Sequence, residues 1–411
     1  MDKIFDLITA EAARQEAGLE MIPSENYVSE AVLMANGSIL TNKYAEGYPG
    51  ARYYHGNEII DQVEKLAIEQ AQALFKTDYA VNVQPYSGSP ANAACLMATL
   101  KPHDKVLGLA LNHGGHITHG LSKALIGRFY QPIPYYLDPV THRLDFEAIR
   151  RLAKSERPKL IISGATAYPR EIDWSAFQAI ADEVGALHLA DISHVAGLIA
   201  GGVHPTPFGL ADLIMTTTHK TLRGPRGAMI FSKTPALAKK IDSAVFPGLQ
   251  GGPHEHTIAA IAVALAEATK LDFADYAQQI IDNTQALISG LHSINPKLRL
   301  ITDGSDNHLI LIDTRSVDLT GQEAADRLHT LQITVNQNTV PDETGSARQP
   351  SGIRLGTPAL TTRGFGKAEL NSIGQIIATA LSQELTSEIS QNLKTQVKEL
   401  TKAFPLAMPK L

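Results

Sequence analysis

Cysteine is nearly absent from this chain of 411 residues. Cys95 is the only one, which excludes an internal disulfide and any zinc site built on cysteine thiolates. Set in the apolar stretch ANAACLMATL, it reads as a small buried hydrophobe rather than a nucleophile. Charge is scarce as well: Asp, Glu, Lys and Arg supply 19% of the residues, against a usual share of about 25%. The 36 basic and 42 acidic residues leave a net charge of −6 with no lysine–arginine block, so nucleic acid is not the expected partner. Nowhere do roughly 18 uncharged apolar residues run together, which argues against a membrane span. The opening MDKIFDLITAEAARQEAG has the pattern of an acidic amphipathic helix, not of a signal peptide, and the expected location is cytoplasmic. Also missing are a P-loop and a Gly-x-Gly-x-x-Gly fingerprint, which lowers a nucleotide or dinucleotide reading.

Apolar residues, by contrast, make up 44% of the chain, enough for a large core. A protein this poor in charge is expected to hide part of its surface in a subunit contact. After the first helix, Pro23 and Ser24-Glu25-Asn26 break the pattern, and a second helix is expected from the cap Ser29 to Asn42. A loop dense in tyrosine and glycine, KYAEGYPGARYYHGN, leads to a helix capped by Asn57 with Ile59, Val63, Leu66, Ala67 and Leu74 in one stripe. From about residue 80, AVNVQ, KVLGLAL, KLIISGA, ALHLAD and LIMTTT read as strands alternating with helices. Several are apolar throughout, so the expected fold is α/β with a mostly parallel sheet covered on both faces. Near residue 270 the texture changes to a long helix around 276–292, then a compact strand-and-helix region. Its last helix carries Leu385, Ile389, Leu393, Val397 and Leu400 and stops at Pro405. The expected division is an N-terminal arm (1–28), a large domain (29–275) and a smaller α+β domain (276–411).

In such sheets ligands collect beyond the carboxyl ends of the strands, and four segments there carry chemistry. In QPYSGSPAN, Ser87, Gly88 and Ser89 place hydroxyls and bare N–H groups at a helix N-terminus, an anion site. In LADISHVAG, Asp191 ends a strand and His194 follows; capping, metal binding and pairing with a cationic ring nitrogen are all open to that carboxylate. In MTTTHKTLRGPRG, Lys220 lies between a strand and the Gly224–Pro225 turn, where desolvation can free its amine to form an imine. Together the three match pyridoxal phosphate, which needs a phosphate cradle, an imine-forming lysine and an acid against its ring nitrogen. In SGIRLGTPA, Arg354 between Gly352 and Gly356 can clamp a substrate carboxylate with its planar fork. His113, His116 and His119 in NHGGHITHG have a spacing that invites a metal. Gly114 and Gly115 make a rigid ligand array poor, however, and a ring stacked on a flat cofactor fits better.

Over nearly its full length the chain resembles the serine hydroxymethyltransferases, pyridoxal-phosphate enzymes of fold type I with an aspartate-aminotransferase-like fold. The resemblance runs from IPSENY through TNKYAEGYPGARYY, SGSPAN, HGGHITHG, ADISHVAGL, TTTHKTLRGPRG, FPGLQGGP and DNHL to SGIRLGTPAL, in family order. It implies that Lys220 holds the cofactor as an aldimine, that Asp191 pairs with its pyridine nitrogen and that His116 stacks on its ring. Ser87, Gly88 and Ser89 would hold the phosphate, with Thr166, His194 and the catalytic His219 bordering the ring. Arg354 and Ser24 would grip the amino-acid carboxylate.

The resemblance also implies a homodimer, or a dimer of dimers, with shared sites. Tyr44, Glu46, Tyr54, Gly251 and Gly252 would then come from the neighbouring chain, Glu46 and Tyr54 among the catalytic groups. Glu46, Leu111, Ile117 and Asn338 fall where the folate is held. The implied reaction is reversible: serine and tetrahydrofolate give glycine and 5,10-methylenetetrahydrofolate. Departures from the family pattern are Tyr86 for histidine, Pro90 for glutamine, Thr166 for serine, His55 for glycine, Gln337 for lysine and Leu121 for a small residue. The alternatives are a folate-independent β-hydroxy-amino-acid aldolase and an α-methylserine hydroxymethyltransferase. A silent or RNA-binding scaffold on this fold is disfavoured by the intact Lys220, Asp191 and Arg354 and by the acidic balance.

Overall fold

The computed structural model describes residues 2–270, 272–343, 345 and 349–406. They form two compact units, one of the described residues within 28–166 and 171–277, the other of those within 1–27, 167–170 and 278–411. The first unit is built on a seven-stranded sheet whose strands are numbered here in chain order: β1 Ala80–Asn82, β2 Lys105–Leu109, β3 Gln131–Tyr135, β4 Leu160–Ser163, β5 Leu187–Asp191, β6 Leu213–Thr217 and β7 Ala228–Ser232. Their spatial order is β1-β7-β6-β5-β4-β2-β3. Strands β2 to β6 pair in parallel, while β7 runs antiparallel to both β6 and β1. All strands but β7 therefore point their carboxyl ends the same way.

The continuous apolar runs follow from burial on both faces. Val106, Leu160, Ile162, Leu189, Leu213, Met215 and Ile230 share one core with Ala94, Cys95 and Leu96 of the helix Gly88–Thr99. The intervening residues Leu107, Ile161, Ile214 and Phe231 are equally inaccessible. Two strands of this sheet escaped the sequence reading. QPIPY forms β3 despite Pro132 and Pro134 because it lies at the sheet edge, where a missing N–H breaks no ladder on the open side. AMIFS forms β7 and turns back antiparallel to β6, against the alternating parallel pattern.

In the second unit, strands Arg299–Leu300, Leu309–Asp313, Gly352–Gly356 and Asn336–Asn338 form a four-stranded antiparallel sheet. Residues 1–27 belong to this unit rather than to a separate arm. Leu19–Glu20 pairs in parallel with Ile333–Thr334, and Leu19 and Met21 are fully buried in the core formed with Ile312, Ile353, Ile377 and Val397. The division of the chain at 277/278 falls within the long helix Asp272–Ile294. The segment expected as one helix from Ser29 is two: Glu30–Asn36, whose first turn Ser29 caps, then the short 3-10 turn Ile39–Asn42. The last helix runs from Ser387 to Ala403, capped by Thr386, so Leu385 of the expected stripe precedes it. Among the described residues, no helix is long and apolar enough to cross a membrane.

Candidate active site

The carboxyl ends of β4, β5 and β6 open on a small cleft in the first unit. Lys220, Asp191, His116, His194, Thr166 and Gly88 line it together with His119, Ser193 and Thr217. Close approach of backbones builds the cleft, and glycine makes that approach possible. A Cβ on Gly88 would lie 2.7 Å from Thr217 Cγ2, so only glycine lets the start of the helix Gly88–Thr99 sit against the end of β6. Gly164, just past β4, has φ +114°, and a Cβ there would overlap the Asp191 carbonyl oxygen. Ser87 occupies the N-cap of the helix in extended conformation but makes no side-chain capping bond. Its hydroxyl and the first-turn N–H groups are therefore placed for an anion.

Asp191 ends β5 and is nearly buried, yet its carboxylate is fully engaged. Oδ1 accepts the Ser193 N–H at 3.1 Å; Oδ2 accepts Asn92 Nδ2 at 3.0 Å and meets His119 Nε2 at 2.9 Å. The tautomer of His119 follows from its other nitrogen. Nδ1 faces the His116 backbone N–H at 3.4 Å and is the acceptor, so the proton sits on Nε2 and is donated to Asp191. Burial pushes the Asp191 carboxyl upward. The hydrogen bonds from His119 and from Ser193 help to outweigh burial and hold the carboxyl well below its ordinary range. Asp191 is thus a permanent anion, the state needed to keep a cationic ring nitrogen protonated.

His116 caps the short helix Ile117–Gly120. Its Nδ1 accepts the Thr118 N–H at 3.2 Å and the Thr118 hydroxyl at 2.7 Å, and that hydroxyl accepts Asn92 Nδ2 at 2.8 Å. Burial, then the neighbouring His119, lowers its pKa to about 4, so the ring is neutral and fit to lie on a flat π-system. Lys220 Nζ donates to Thr217 Oγ1 at 2.7 Å. Burial, then the charges of Lys220 and Arg226, brings His219 to about 3. Thr166 donates its hydroxyl to the Gly114 carbonyl at 3.0 Å, tying the end of β4 to the histidine turn. His113 leaves this group: its Nδ1 accepts the Leu137 N–H at 3.1 Å and its ring meets Tyr136 edge-on.

The other expected residues fall into separate places. Tyr44, Glu46, Tyr54, Gly251 and Gly252 are not among those lining the cleft. They form their own cluster: the Tyr44 and Tyr54 rings meet edge-on at 5.4 Å, and Cβ atoms built on Gly251 and Gly252 would lie 3.2 Å from Glu46 Oε1 and 3.4 Å from the Tyr44 ring. Leu111 and Ile117, largely exposed, flank the histidine turn.

Arg354, Ser24 and Asn338 belong to the second unit. Arg354 was expected near a strand end, but it occupies the middle of Gly352–Gly356, pairing with Leu311 on one side and Asn336 on the other. Its Nε donates to Asn336 Oδ1 at 3.1 Å, and burial lowers its pKa to about 10, so it stays cationic. Gly356 abuts Pro23, where a Cβ would come within 2.7 Å, and this contact sets Ser24 beside the end of that strand. Asn338 lies opposite Gly352 and donates to the Thr339 carbonyl.

Sequence reasoning missed Asn92, Thr118 and Thr217 and gave His119 no role of its own. The available signal for His119 was its place three residues beyond His116, the geometry of a reciprocal cap, which the structure contains.

The residues around the cleft fit pyridoxal phosphate: a glycine-lined helix N-terminus for the phosphate, a lysine amine, a constitutive carboxylate and a neutral flat histidine. Comparison with known proteins agrees. A family model described as serine hydroxymethyltransferase matches residues 1–377. The chain is 51% identical to the serine hydroxymethyltransferase of a Nostoc species over 403 residues, covering 98% of this chain and 94% of that one. It is 52% identical over 408 residues to that of Acidothermus cellulolyticus (98% and 95% covered) and 50% identical over 404 residues to that of Levilactobacillus brevis (98% and 97% covered).

Proposed function

The chain belongs to the serine hydroxymethyltransferase family, and from that premise we propose that it moves the hydroxymethyl group of L-serine to tetrahydrofolate, giving glycine and 5,10-methylenetetrahydrofolate, with pyridoxal phosphate held at Lys220. The observation that carries this reading is the joining of Lys220, Asp191 and His116 in one cleft at neighbouring strand ends. Pyridoxal phosphate, when bound, supplies an electron sink for the bond breaking at the serine α-carbon.

The rest is the work of the chain. Ser87, Gly88 and Ser89 would bind the phosphate, and Asp191, oriented by His119 and Asn92, would pair with the ring nitrogen. His116 would stack on the ring. Arg354 and Ser24 would grip the amino-acid carboxylate and so orient the substrate. Glu46 would take up and return the proton of the serine hydroxyl, with Tyr54 a further catalytic group, while Leu111, Ile117 and Asn338 would hold the pterin. His219, kept neutral by burial and then by the charges of Lys220 and Arg226, would border the cofactor together with His194.

We propose a homodimer in which Tyr44, Glu46, Tyr54, Gly251 and Gly252 complete the site of the other protomer. Support comes from their grouping away from the cleft and from exposed apolar side chains over the same stretch: Met34 71%, Ile39 82%, Tyr53 74% and Ile59 66%. The test is borohydride reduction of the cofactor-loaded protein with peptide mapping, together with serine cleavage assayed with and without tetrahydrofolate. Label at Lys220 and strong folate dependence are expected. Cleavage indifferent to folate favours the aldolase, and label elsewhere sinks the site.

A further inference from the structure

Tyr86 stands where the family resemblance leads one to expect histidine, and it touches one distant segment in three ways. Its backbone N–H donates to Gln250 Oε1 at 3.0 Å. Its hydroxyl donates to the Gly252 carbonyl at 2.7 Å. Its ring lies flat on that of His254, centroids 4.0 Å apart and planes within 6°. Gln250 returns a fourth link, Nε2 to the Gln84 carbonyl at 2.9 Å. The chain at 84–86 and the segment at 250–254 are thus clasped by hydrogen bonds on both sides and by a stacked pair.

What lies at each end gives the clasp its meaning. Tyr86 directly precedes Ser87 and Gly88, the N-cap and first residue of the helix proposed to hold the phosphate. At the far end, Glu46 and Tyr44 lie against Gly251 and Gly252, where a Cβ would come 3.2 Å from Glu46 Oε1 and 3.4 Å from the Tyr44 ring. Tyr86 does not itself line the Lys220 cleft. We propose that Tyr86 is a positioning residue that fastens the Gly251–Gly252 segment to the phosphate-binding helix start, so that filling the phosphate site orders the platform carrying Tyr44 and Glu46. Burial, and then the charges of Tyr44 and Glu46, raise the phenol's pKa, so it remains a donor throughout the working pH range. The inference deepens the function proposed above and rests on phosphate binding at Ser87–Gly88.

Hydrogen exchange tests it on the full chain. Cofactor-free protein is compared with the same protein after addition of pyridoxal phosphate or of inorganic phosphate, in the parent, Tyr86→Phe and Tyr86→His. In the parent, the cofactor is expected to slow exchange across 250–254 and 44–47. Tyr86→Phe should still load the cofactor at Lys220, by its absorbance, yet lose roughly three- to tenfold of that protection, the value of one neutral hydrogen bond. Tyr86→His, which can stack and offer an N–H, should restore part of it. Full protection in Tyr86→Phe, or no recovery in Tyr86→His, overturns the role.

Where Tyr86→Phe lowers the melting temperature too far to compare, His254→Ala carries the test. It keeps the hydroxyl bond and should lose a smaller share of protection, and unchanged protection there also overturns the role. A parent that forms no absorbing link to Lys220 sinks the cofactor assignment instead, and inorganic phosphate then reads the clasp separately.

Discussion

Replacing Glu255 by glutamine should make the protein more stable at pH 8 and, by a smaller margin, at pH 6. Glu255 is 1% exposed, and neither carboxylate oxygen has a hydrogen-bond partner among the described residues. Its nearest cation, Arg52, is 3.9 Å away and already committed. Arg52 pairs with Asp61 at 2.9 Å and Glu64 at 2.6 Å and donates to the Ala45 and Gly47 carbonyls. Glu64, equally buried, also accepts from Gln84. One guanidinium thus faces three carboxyl groups, and Glu255 is the surplus one.

Burial first, then the charge of Glu64, raises the Glu255 pKa from 4.5 to about 9. The unfolded chain releases this proton near 4.5, whereas the folded chain keeps it to about 9. The folded state therefore binds more protons between those values, and its stability falls as pH rises through that window. At roughly 1.4 kcal/mol per pH unit, the loss between pH 6 and pH 8 is about 2–3 kcal/mol. Glutamine cannot ionise and can donate to Glu64. The gap between the melting temperatures of parent and Glu255→Gln should then be about 3–6 °C wider at pH 8 than at pH 6. Parallel pH dependence in the two proteins would refute the protonated-carboxyl argument.

Three further substitutions probe the cleft and its neighbours. Asp191→Asn removes the anion while leaving a similar volume, so cofactor should still attach at Lys220 while serine cleavage falls by about a hundredfold or more; a loss under tenfold would contradict the ring-nitrogen role. Gly164→Ala forces a Cβ onto the Asp191 carbonyl at φ +114°, and thermal unfolding should report a loss of about 3 kcal/mol or more. Unaltered melting would mean that β4 and β5 relax apart at no cost. Glu46→Gln should leave the melting temperature and cofactor absorbance unchanged but abolish serine cleavage, and full turnover would remove Glu46 from proton transfer.

Much of the large sheet was legible because parallel strands buried on both faces carry nearly continuous apolar runs, as Leu160–Ser163 and Leu213–Thr217 do before their terminal hydroxyl residues. The edge strand Gln131–Tyr135 was hidden by its prolines, which pairing on a single side tolerates. The Lys220, Asp191 and Ser87–Ser89 set could be read because each lies just past an apolar run. His119 was passed over because its partner Asp191 is 72 residues away in sequence, a pairing that no local spacing encodes.

By itself, the sequence determined the alternation of strand and helix, the glycines and hydroxyls at the helix entry, and the chemical types that pyridoxal phosphate requires. Those depend on local pattern: periodicity of burial and the functional groups a residue carries. Only the tertiary structure decided that residues 1–27 join the C-terminal unit, that His119 and Asn92 orient Asp191, and that Glu255 holds a proton. Each of those depends on contacts between distant segments, where burial and the nearest charge set which form of a group is stable.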